Sequence, residues 1–155
     1  VSVKKGLAAY YLYTRDFNSS VKLLEEVLAI YPNDLASLNN IAISLEDLDR
    51  RDEAIEYFKK VVEIDPEFIP AYINIGFQLS HAGNYEESLT YFDKAAELDD
   101  KEPLLLSNRG NVYYNLKDYK KALADLNLSL KLYPSNSYAY RNRAITYLAM
   151  GEKEK

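Results

Sequence analysis

The chain has 155 residues, 28% of them charged, and a net charge of −5, which are ordinary values for a folded domain. A negative net charge argues against nucleic acid as a partner, because binding to phosphates depends on clustered cations. The absence of cysteine excludes disulfides, thiol nucleophiles and Cys-ligated metal centres. No apolar run is long enough to cross a bilayer, so we expect no membrane insertion.

The sequence repeats itself with a period of 34 residues. Asparagine recurs once per period, at Asn40, Asn74, Asn108 and Asn142. Prolines fall one or two periods apart, at Pro32, Pro66 and Pro134. Self-similarity at a period of this length is typical of stacked-repeat architectures. We therefore divide the chain into the blocks 1–34, 35–68, 69–102 and 103–136 and the partial block 137–155, and we number the positions within each block from 1 to 34.

Each full block predicts two amphipathic helices, because apolar residues recur at i, i+3, i+4 and i+7. A short polar break separates the two helices, with the sequences "TRDF", "DRRD", "AGNY" and "LKDY". A proline ends the second helix in three of the four full blocks. The unit is therefore helix–turn–helix, present four times and followed by a fifth first helix.

This pattern resembles the tetratricopeptide repeat, in which large-x2-Leu-Gly-x2-Tyr is followed by Ala-x3-Phe and then Pro. The third block, with "YINIGFQLSHAGNYEESLTYFDKAAELD", and the fourth match it best, and the resemblance covers essentially the whole chain. It implies an all-α fold, a right-handed superhelical α-solenoid of antiparallel helix pairs. It also implies a single domain over residues 1–155, because stacked repeats share one continuous core.

The segment "NRGN", residues 108–111, invites comparison with a phosphate-binding loop. Such a loop follows a strand, whereas Gly110 lies in the middle of a predicted helix. Gly110 occupies position 8, where the other blocks carry Ala or Gly, including Gly76. We interpret both glycines as sites where two helices pack closely.

Arg109 occupies position 7, which is apolar in the first three blocks. Position 23 on the second helix changes with it, because Ile41 accompanies Tyr57 whereas Arg109 accompanies Asp125. A partly buried arginine requires a counter-charge. We therefore predict an Arg109–Asp125 ion pair; the alternative, in which Arg109 reaches into a ligand groove, stays open.

Arg143 repeats Arg109 one period later, but an equivalent aspartate would fall beyond Lys155. We therefore expect the fifth repeat to lack its second helix. This would leave the face of Ala144, Tyr147 and Leu148 uncovered, and a homodimer through this end is a hypothesis.

The resemblance also implies that the first helices line a concave groove, with positions 2, 5, 6, 9, 12 and 13 facing it. An asparagine side chain donates and accepts, so the position-6 row suits an extended peptide backbone. The alternative, in which these asparagines bond the neighbouring helix, stays open. The candidate partner-binding residues are Tyr13, Asn39, Asn40, Ile43, Asn74, Phe77, His81, Asn108, Asn111, Tyr114, Asn115, Arg141 and Asn142.

Some relatives bind acidic C-termini through a carboxylate clamp. Lys5 and Asn40 match that clamp, but Ala9, Pro70 and Asn74 do not, so we reject this function. The sequence contains no supported acid/base pair, and we predict no cofactor and no metal site. His81, near a helix C-terminus, is expected to contact free backbone carbonyls.

These observations predict a non-enzymatic protein–protein interaction scaffold that binds a peptide segment or a partner protein in the concave groove. One alternative is a self-assembling adaptor. Another is a regulatory segment of a larger protein, because both ends of the given sequence look like cut points.

Overall fold

A computed structural model describes residues 1–151, and within that range the chain forms nine helices and no strand. The helices are α1 (Ser2–Tyr13), α2 (Phe17–Leu28), α3 (Leu35–Asp47), α4 (Arg51–Ile64), α5 (Ile69–His81), α6 (Tyr85–Leu98), α7 (Pro103–Asn115), α8 (Tyr119–Leu132) and α9 (Ser137–Ala149). Each full block contributes two of them and the partial block contributes α9. The prediction of an all-α solenoid of helix pairs is confirmed.

The chain forms two compact units, an N-terminal unit of residues 1–75 and a C-terminal unit of residues 76–155. The N-terminal unit contains α1 to α4 and the first half of α5. The C-terminal unit contains the second half of α5 and α6 to α9. The expectation of a single domain over the whole chain stays a prediction.

Polar side chains cap several helix N-termini, as their preference for these positions predicts. The Asp34 carboxylate accepts the backbone N–H of Ser37 at 3.0 Å before α3, and Asn136 accepts that of Ala139 at 3.1 Å before α9. Asp16 and Asp118 cap α2 and α8 in the same way. These caps fix where each helix begins and therefore hold the register of the repeats.

The turn inside each helix pair uses the left-handed backbone conformation at position 15. The φ angle is 63° at Arg15, 57° at Asp49, 83° at Gly83 and 63° at Lys117. Only glycine adopts this conformation without steric cost, which is about 1–2 kcal/mol for other residues. The packing of the two helices therefore imposes the turn on the other three residues.

Both units have a core made from the same block positions. In the N-terminal unit the largest fully buried side chains include Leu24, Leu45 and Phe58. In the C-terminal unit Phe92 and Leu126 occupy position 24, which is also the position of Leu24 and Phe58. The core thus repeats with the period of the sequence.

At position 8 the two helices of a pair pack closely in the C-terminal unit. A Cβ atom added to Gly76 would lie 2.8 Å from Phe92 Cε1, and one added to Gly110 would lie 2.8 Å from Leu126 Cγ. Both distances are shorter than van der Waals contact. The two glycines therefore allow α6 and α8 to pack against the helices that precede them.

Candidate functional site

Arg109 on α7 is held by two carboxylates from two other helices. Its Nε and Nη2 donate to the two oxygens of Asp125 on α8, at 2.7 Å and 3.0 Å. Its Nη1 donates to Asp93 Oδ1 on α6 at 3.0 Å. The Arg109 and Asp125 side chains are largely buried, whereas Asp93 is exposed. The ion pair expected from the sequence is therefore present. It is bidentate, with two parallel N–H···O hydrogen bonds, as is common for arginine–carboxylate pairs.

The charges in this network balance the burial of the guanidinium. Burial by itself disfavours the charged form of Arg109, but the hydrogen bonds and charge of Asp125 outweigh it and raise the pKa of Arg109. Burial also raises the pKa of Tyr113, whose ring centroid lies 6.0 Å from the guanidinium carbon. Arg109 therefore stays charged, and it donates three hydrogen bonds to carboxylates of the same unit.

Asp93 was not predicted from the sequence, although a signal for it exists. It occupies position 25 of the third block, one block before Arg109. Asn127 occupies position 25 of the fourth block, one block before Arg143, and accepts Arg143 Nη1 at 3.0 Å. An acceptor at position 25 therefore precedes an arginine at position 7 of the next block in both cases.

The first helices carry all the candidate partner-binding residues. In the N-terminal unit Tyr13 is exposed at the end of α1, and Asn39, Asn40 and Ile43 are half-buried on α3. Asn74, on the first half of α5, is also half-buried. These side chains are partly accessible on their own helices.

In the C-terminal unit Asn111 and Tyr114 are half-buried on α7, and Asn115 is exposed beside them. Asn115 Nδ2 donates to the backbone carbonyl of Asn111 at 2.8 Å. Arg141 is exposed on α9, and α7 and α9 contact each other. The α7/α9 surface, which we define as Asn111, Tyr114, Asn115 and Arg141, therefore brings four of the candidates onto adjacent helices.

The position-6 asparagines of this unit are not on its accessible surface. Asn108 is 5% exposed and Asn142 is 3% exposed. Asn142 Nδ2 has no hydrogen-bond partner among residues 1–151. Burial depends on how neighbouring helices pack, so the sequence pattern of the asparagine row could not distinguish these two from Asn40 and Asn74.

Phe77 and His81 form a pair on the second half of α5. Their ring centroids lie 4.1 Å apart, and His81 Nδ1 donates to the carbonyl of Phe77 at 3.1 Å. The imidazole thus contacts a backbone carbonyl near the helix C-terminus, as expected from its position. His81 is exposed, and Phe77 is half-buried beside it.

The charges of the first helices differ between the units. Glu46 and Asp47 end α3 in the N-terminal unit, whereas α7 and α9 contain no acidic residue. Arg141 makes no hydrogen bond or ion pair with any residue that the structure describes. Its guanidinium is therefore exposed on α9, without a counter-charge among the residues that the structure describes.

Lys5, one of the two matches to the carboxylate clamp, is already paired. Its Nζ donates to Asp34 Oδ1, the cap of α3, and this contact together with the hydrogen bonds from Ser37 lowers the pKa of the Asp34 carboxyl. An external carboxylate that bound Lys5 would therefore compete with this contact to the cap of α3.

Within residues 1–151, no group of three or more His, Asp or Glu side chains is placed to bind a metal ion. The same part of the chain has no helix that combines the length and apolarity needed to cross a membrane.

Models of the tetratricopeptide repeat match four successive segments, residues 6–31, 36–68, 69–102 and 103–136. Together they cover most of the chain, and their boundaries follow the blocks of the 34-residue period. The chain therefore belongs to the tetratricopeptide repeat family.

Several solved structures share this fold at low sequence identity. MamA 41-end from Desulfovibrio magneticus RS-1 has a TM-score of 0.90 at 16% identity, covering 98% of this chain and 86% of that one. YrrB, a TPR protein with an unusual peptide-binding site, has a TM-score of 0.80 at 16% identity, covering 97% and 78%. TTC0263, a thermophilic TPR protein in Thermus thermophilus, has a TM-score of 0.76 at 23% identity, covering 97% and 83%. A search among curated proteins gives no match.

Proposed function

We propose that this chain is a non-enzymatic protein-interaction scaffold whose first helices bind a peptide segment of a partner protein. The observation that carries the proposal is Arg141 on α9, an exposed guanidinium with no partner among the described residues. Neither α9 nor the adjacent α7 contains an acidic residue. An arginine of this kind binds a carboxylate through two parallel hydrogen bonds. A ligand carboxylate opposite Arg141 would supply the charge that α7 and α9 lack.

The neighbouring amides suit the backbone of such a ligand. Asn111 and Asn115 offer donors and acceptors within about one turn of α7, and Tyr114 adds aromatic area with a polar tip. An extended segment with mixed side chains and one carboxylate therefore fits the α7/α9 surface better than a highly charged one. The likeness to YrrB, described as a protein with an unusual peptide-binding site, supports peptide binding as a function that this fold can hold.

The N-terminal unit would contribute a second contact surface on its own first helices. Tyr13, Asn39, Asn40 and Ile43 remain its proposed contacts, together with Asn74. The acidic end of α3 favours a neutral or basic part of a ligand there. In the C-terminal unit Phe77 and His81 remain proposed aromatic contacts, whereas Asn108 and Asn142 would need a local rearrangement to reach a ligand.

Selection of peptides from a random library tests the proposal. Selected peptides are then titrated against the unchanged chain, against the triple variant Asn111→Ala, Asn115→Ala, Arg141→Ala, and against a control variant, Lys120→Ala with Lys131→Ala on α8. We expect the triple variant to bind at least about tenfold more weakly and the control to bind unchanged.

Equal binding to all three proteins would contradict the α7/α9 surface. Failure to select any peptide over repeated rounds would contradict peptide binding itself. A self-assembling adaptor, the alternative function, would instead show a molar mass that rises with concentration in sedimentation experiments and falls with salt.

A further inference from the structure

A groove of about 320 Å³ lies beside α4 in the N-terminal unit, and we call it the α4 groove. It is lined by Asp52, Glu53, Glu56 and Tyr57. The three carboxylates are exposed, and the Tyr57 ring is half-buried. Burial raises the pKa of Tyr57, and the charges of Glu25 on α2 and of Glu53 raise it further. The α4 groove therefore combines an aromatic ring with negative charge from two helices.

Two of these four carboxylates are already paired with cations of the chain. Glu53 accepts two hydrogen bonds from Arg50, at 2.7 Å and 2.6 Å, and Glu56 accepts one from a lysine of its own helix at 3.1 Å. The side chains of Glu25 and Asp52 make no hydrogen bond or ion pair with any residue in the range 1–151. The groove therefore keeps two carboxylates without a counter-charge.

In the fourth block a guanidinium of the chain itself occupies the corresponding positions. Arg109, at position 7, donates to Asp125 at position 23 and to Asp93 at position 25 of the block before it. Its guanidinium carbon lies 6.0 Å from the centroid of the Tyr113 ring. An acid at position 25 and the side chain at position 23 of the next block therefore hold a guanidinium together.

The N-terminal unit has similar surroundings but no guanidinium between them. Glu25 is the acid at position 25, as Asp93 is, and Tyr57 is the side chain at position 23. Position 7 is Ile41, which is fully buried and carries no charge. The unit's own arginines are all paired with other carboxylates, Arg15 with Asp47, Arg50 with Glu53 and Arg51 with Asp49. A cation for Glu25 therefore has to come from outside this unit.

We propose that the α4 groove binds an arginine side chain from a basic segment of a partner protein, with the guanidinium paired to Glu25 and packed against the Tyr57 ring. Lys60 Nζ lies over one face of this ring, 4.8 Å from its centroid, so the guanidinium is placed at the other face. Arginine suits the groove better than lysine, because its planar guanidinium can pair with a carboxylate and stack on an aromatic ring at once.

The charge of the second block favours a basic segment as the occupant. Residues 35–68 contain nine acidic and four basic side chains, a net charge of −5. A field of this sign attracts a cationic segment and raises its rate of association. Described helices precede and follow both α2 and α4, so the groove depends on neither end of the sequence. It lies on second helices, and this proposal does not depend on peptide binding at the first helices.

A peptide library with arginine fixed at its central position provides the probe. It is selected against the triple variant Asn111→Ala, Asn115→Ala, Arg141→Ala, so that the α7/α9 surface does not contribute. Each selected peptide is also made with citrulline in place of the central arginine, which keeps the shape of the side chain and removes its charge. Fluorescence anisotropy measures both affinities, and we expect the citrulline peptide to bind at least about tenfold more weakly.

Two pairs of substitutions locate the site of binding. Glu25→Gln with Asp52→Asn should weaken binding of the arginine peptide at least about tenfold and remove its advantage over the citrulline peptide. Glu63→Gln with Glu97→Gln is the matched control, because it removes the same charge from exposed positions outside the groove, and it should leave binding unchanged.

The double change Ile41→Arg with Tyr57→Asp should also abolish binding, because the chain would then supply the guanidinium itself, as Arg109 does beside Asp125. Circular dichroism checks that this variant is folded. Equal affinity of the arginine and citrulline peptides, equal effects of the two pairs of substitutions, or no selected peptide after repeated rounds would overturn the proposal. Self-association of the free chain that the peptide disrupts would also overturn it, since an arginine of a second copy would then be the occupant.

Discussion

The helix pairs α3/α4 and α7/α8 solve the same packing problem with different chemistry. At positions 7 and 23 the first pair has Ile41 and Tyr57, and the second has Arg109 and Asp125. Ile41 is fully buried, and burial raises the pKa of Tyr57. Arg109 and Asp125 instead form a bidentate ion pair. Positions 7 and 23 of the repeat can therefore hold either an apolar pair or an ion pair, as long as both residues change together.

The two solutions differ in how they respond to the loss of one partner. An apolar contact loses buried area, whereas an ion pair that loses one member leaves a charge in a poorly solvated place. Repeats with an ion pair at these positions should thus be more sensitive to single substitutions than repeats without one. The predictions below test this difference and the packing around it.

The largest effect is expected from Asp125→Ala. This change leaves the largely buried Arg109 with only the exposed Asp93, so we expect the free energy of unfolding of the C-terminal unit to fall by about 3 kcal/mol. Urea denaturation followed by circular dichroism measures it. Asp93→Ala is the control, and since Asp93 is exposed its loss should cost less than about 1 kcal/mol. Equal effects of the two changes would argue against the network as described.

A smaller effect is expected from Gly110→Ala, which gives α7 the residue that α3 has at position 8. The added Cβ would lie 2.8 Å from Leu126 Cγ and 3.3 Å from the carbonyl oxygen of Ala122. We expect a loss of about 1–3 kcal/mol from overpacking, despite the higher helix propensity of alanine. Gly6→Ala in α1 is the matched control, because nothing lies within 4 Å of its Cβ position, and it should stabilise the chain by about 0.5–1 kcal/mol.

The helix caps at position 34 should differ in how their contribution to stability depends on pH. Asp34 caps α3 and Asn136 caps α9, but only Asp34 titrates. The pKa of Asp34 is lowered, chiefly by the hydrogen bond from Lys5. The stability that this carboxylate contributes is therefore fully present above the ordinary pKa of about 4. It is lost as the pH falls through the lower pKa of the folded state. We expect Asp34→Asn to cost about 0.5–1 kcal/mol at pH 7, because asparagine can still cap α3 but loses the charge that pairs with Lys5. The difference from the unchanged chain should shrink below about pH 4 in urea titrations, and a difference that stays constant down to about pH 2 would contradict the linkage.

The smallest effects are expected in the turns. Lys117→Gly should raise the free energy of unfolding by about 0.5–1 kcal/mol, because glycine adopts the left-handed conformation of this position, φ 63°, without steric cost. Gly83→Ala, at the same position of the third block, should lose a similar amount. Thermal unfolding of both variants checks the opposite signs, and a change of the same sign in both would contradict the account of the turn.

The period of 34 residues was sufficient to predict the helices, their pairing and the close contact at Gly110, because these features depend on patterns that repeat. The Arg109–Asp125 pair was also predictable, since the two charges appear in the same block. Asp93 was missed because it lies on the preceding block, and a contact between blocks is visible only when position 25 is compared with position 7 of the next block.

The candidate binding surface was harder to predict than the fold. Asn108 and Asn142 share the position of Asn40 and Asn74, yet they are buried while the other two are only half-buried. Exposure at one position depends on the side chains of neighbouring helices, which vary between blocks. The left-handed turn at position 15 was not predicted either. Glycine, the residue typical of this conformation, occupies position 15 in only two of the five blocks.

The double change Arg109→Ile with Asp125→Tyr tests the central claim most directly, because it gives α7 and α8 the residues that α3 and α4 carry. The free energy of unfolding is measured for the unchanged chain, for both single variants and for the double variant. The account predicts that the double variant recovers most of the stability lost in Asp125→Tyr, with a coupling energy of about 2 kcal/mol or more. A double variant as unstable as the sum of the two single changes would show that the ion pair and the apolar contact are not interchangeable within the repeat.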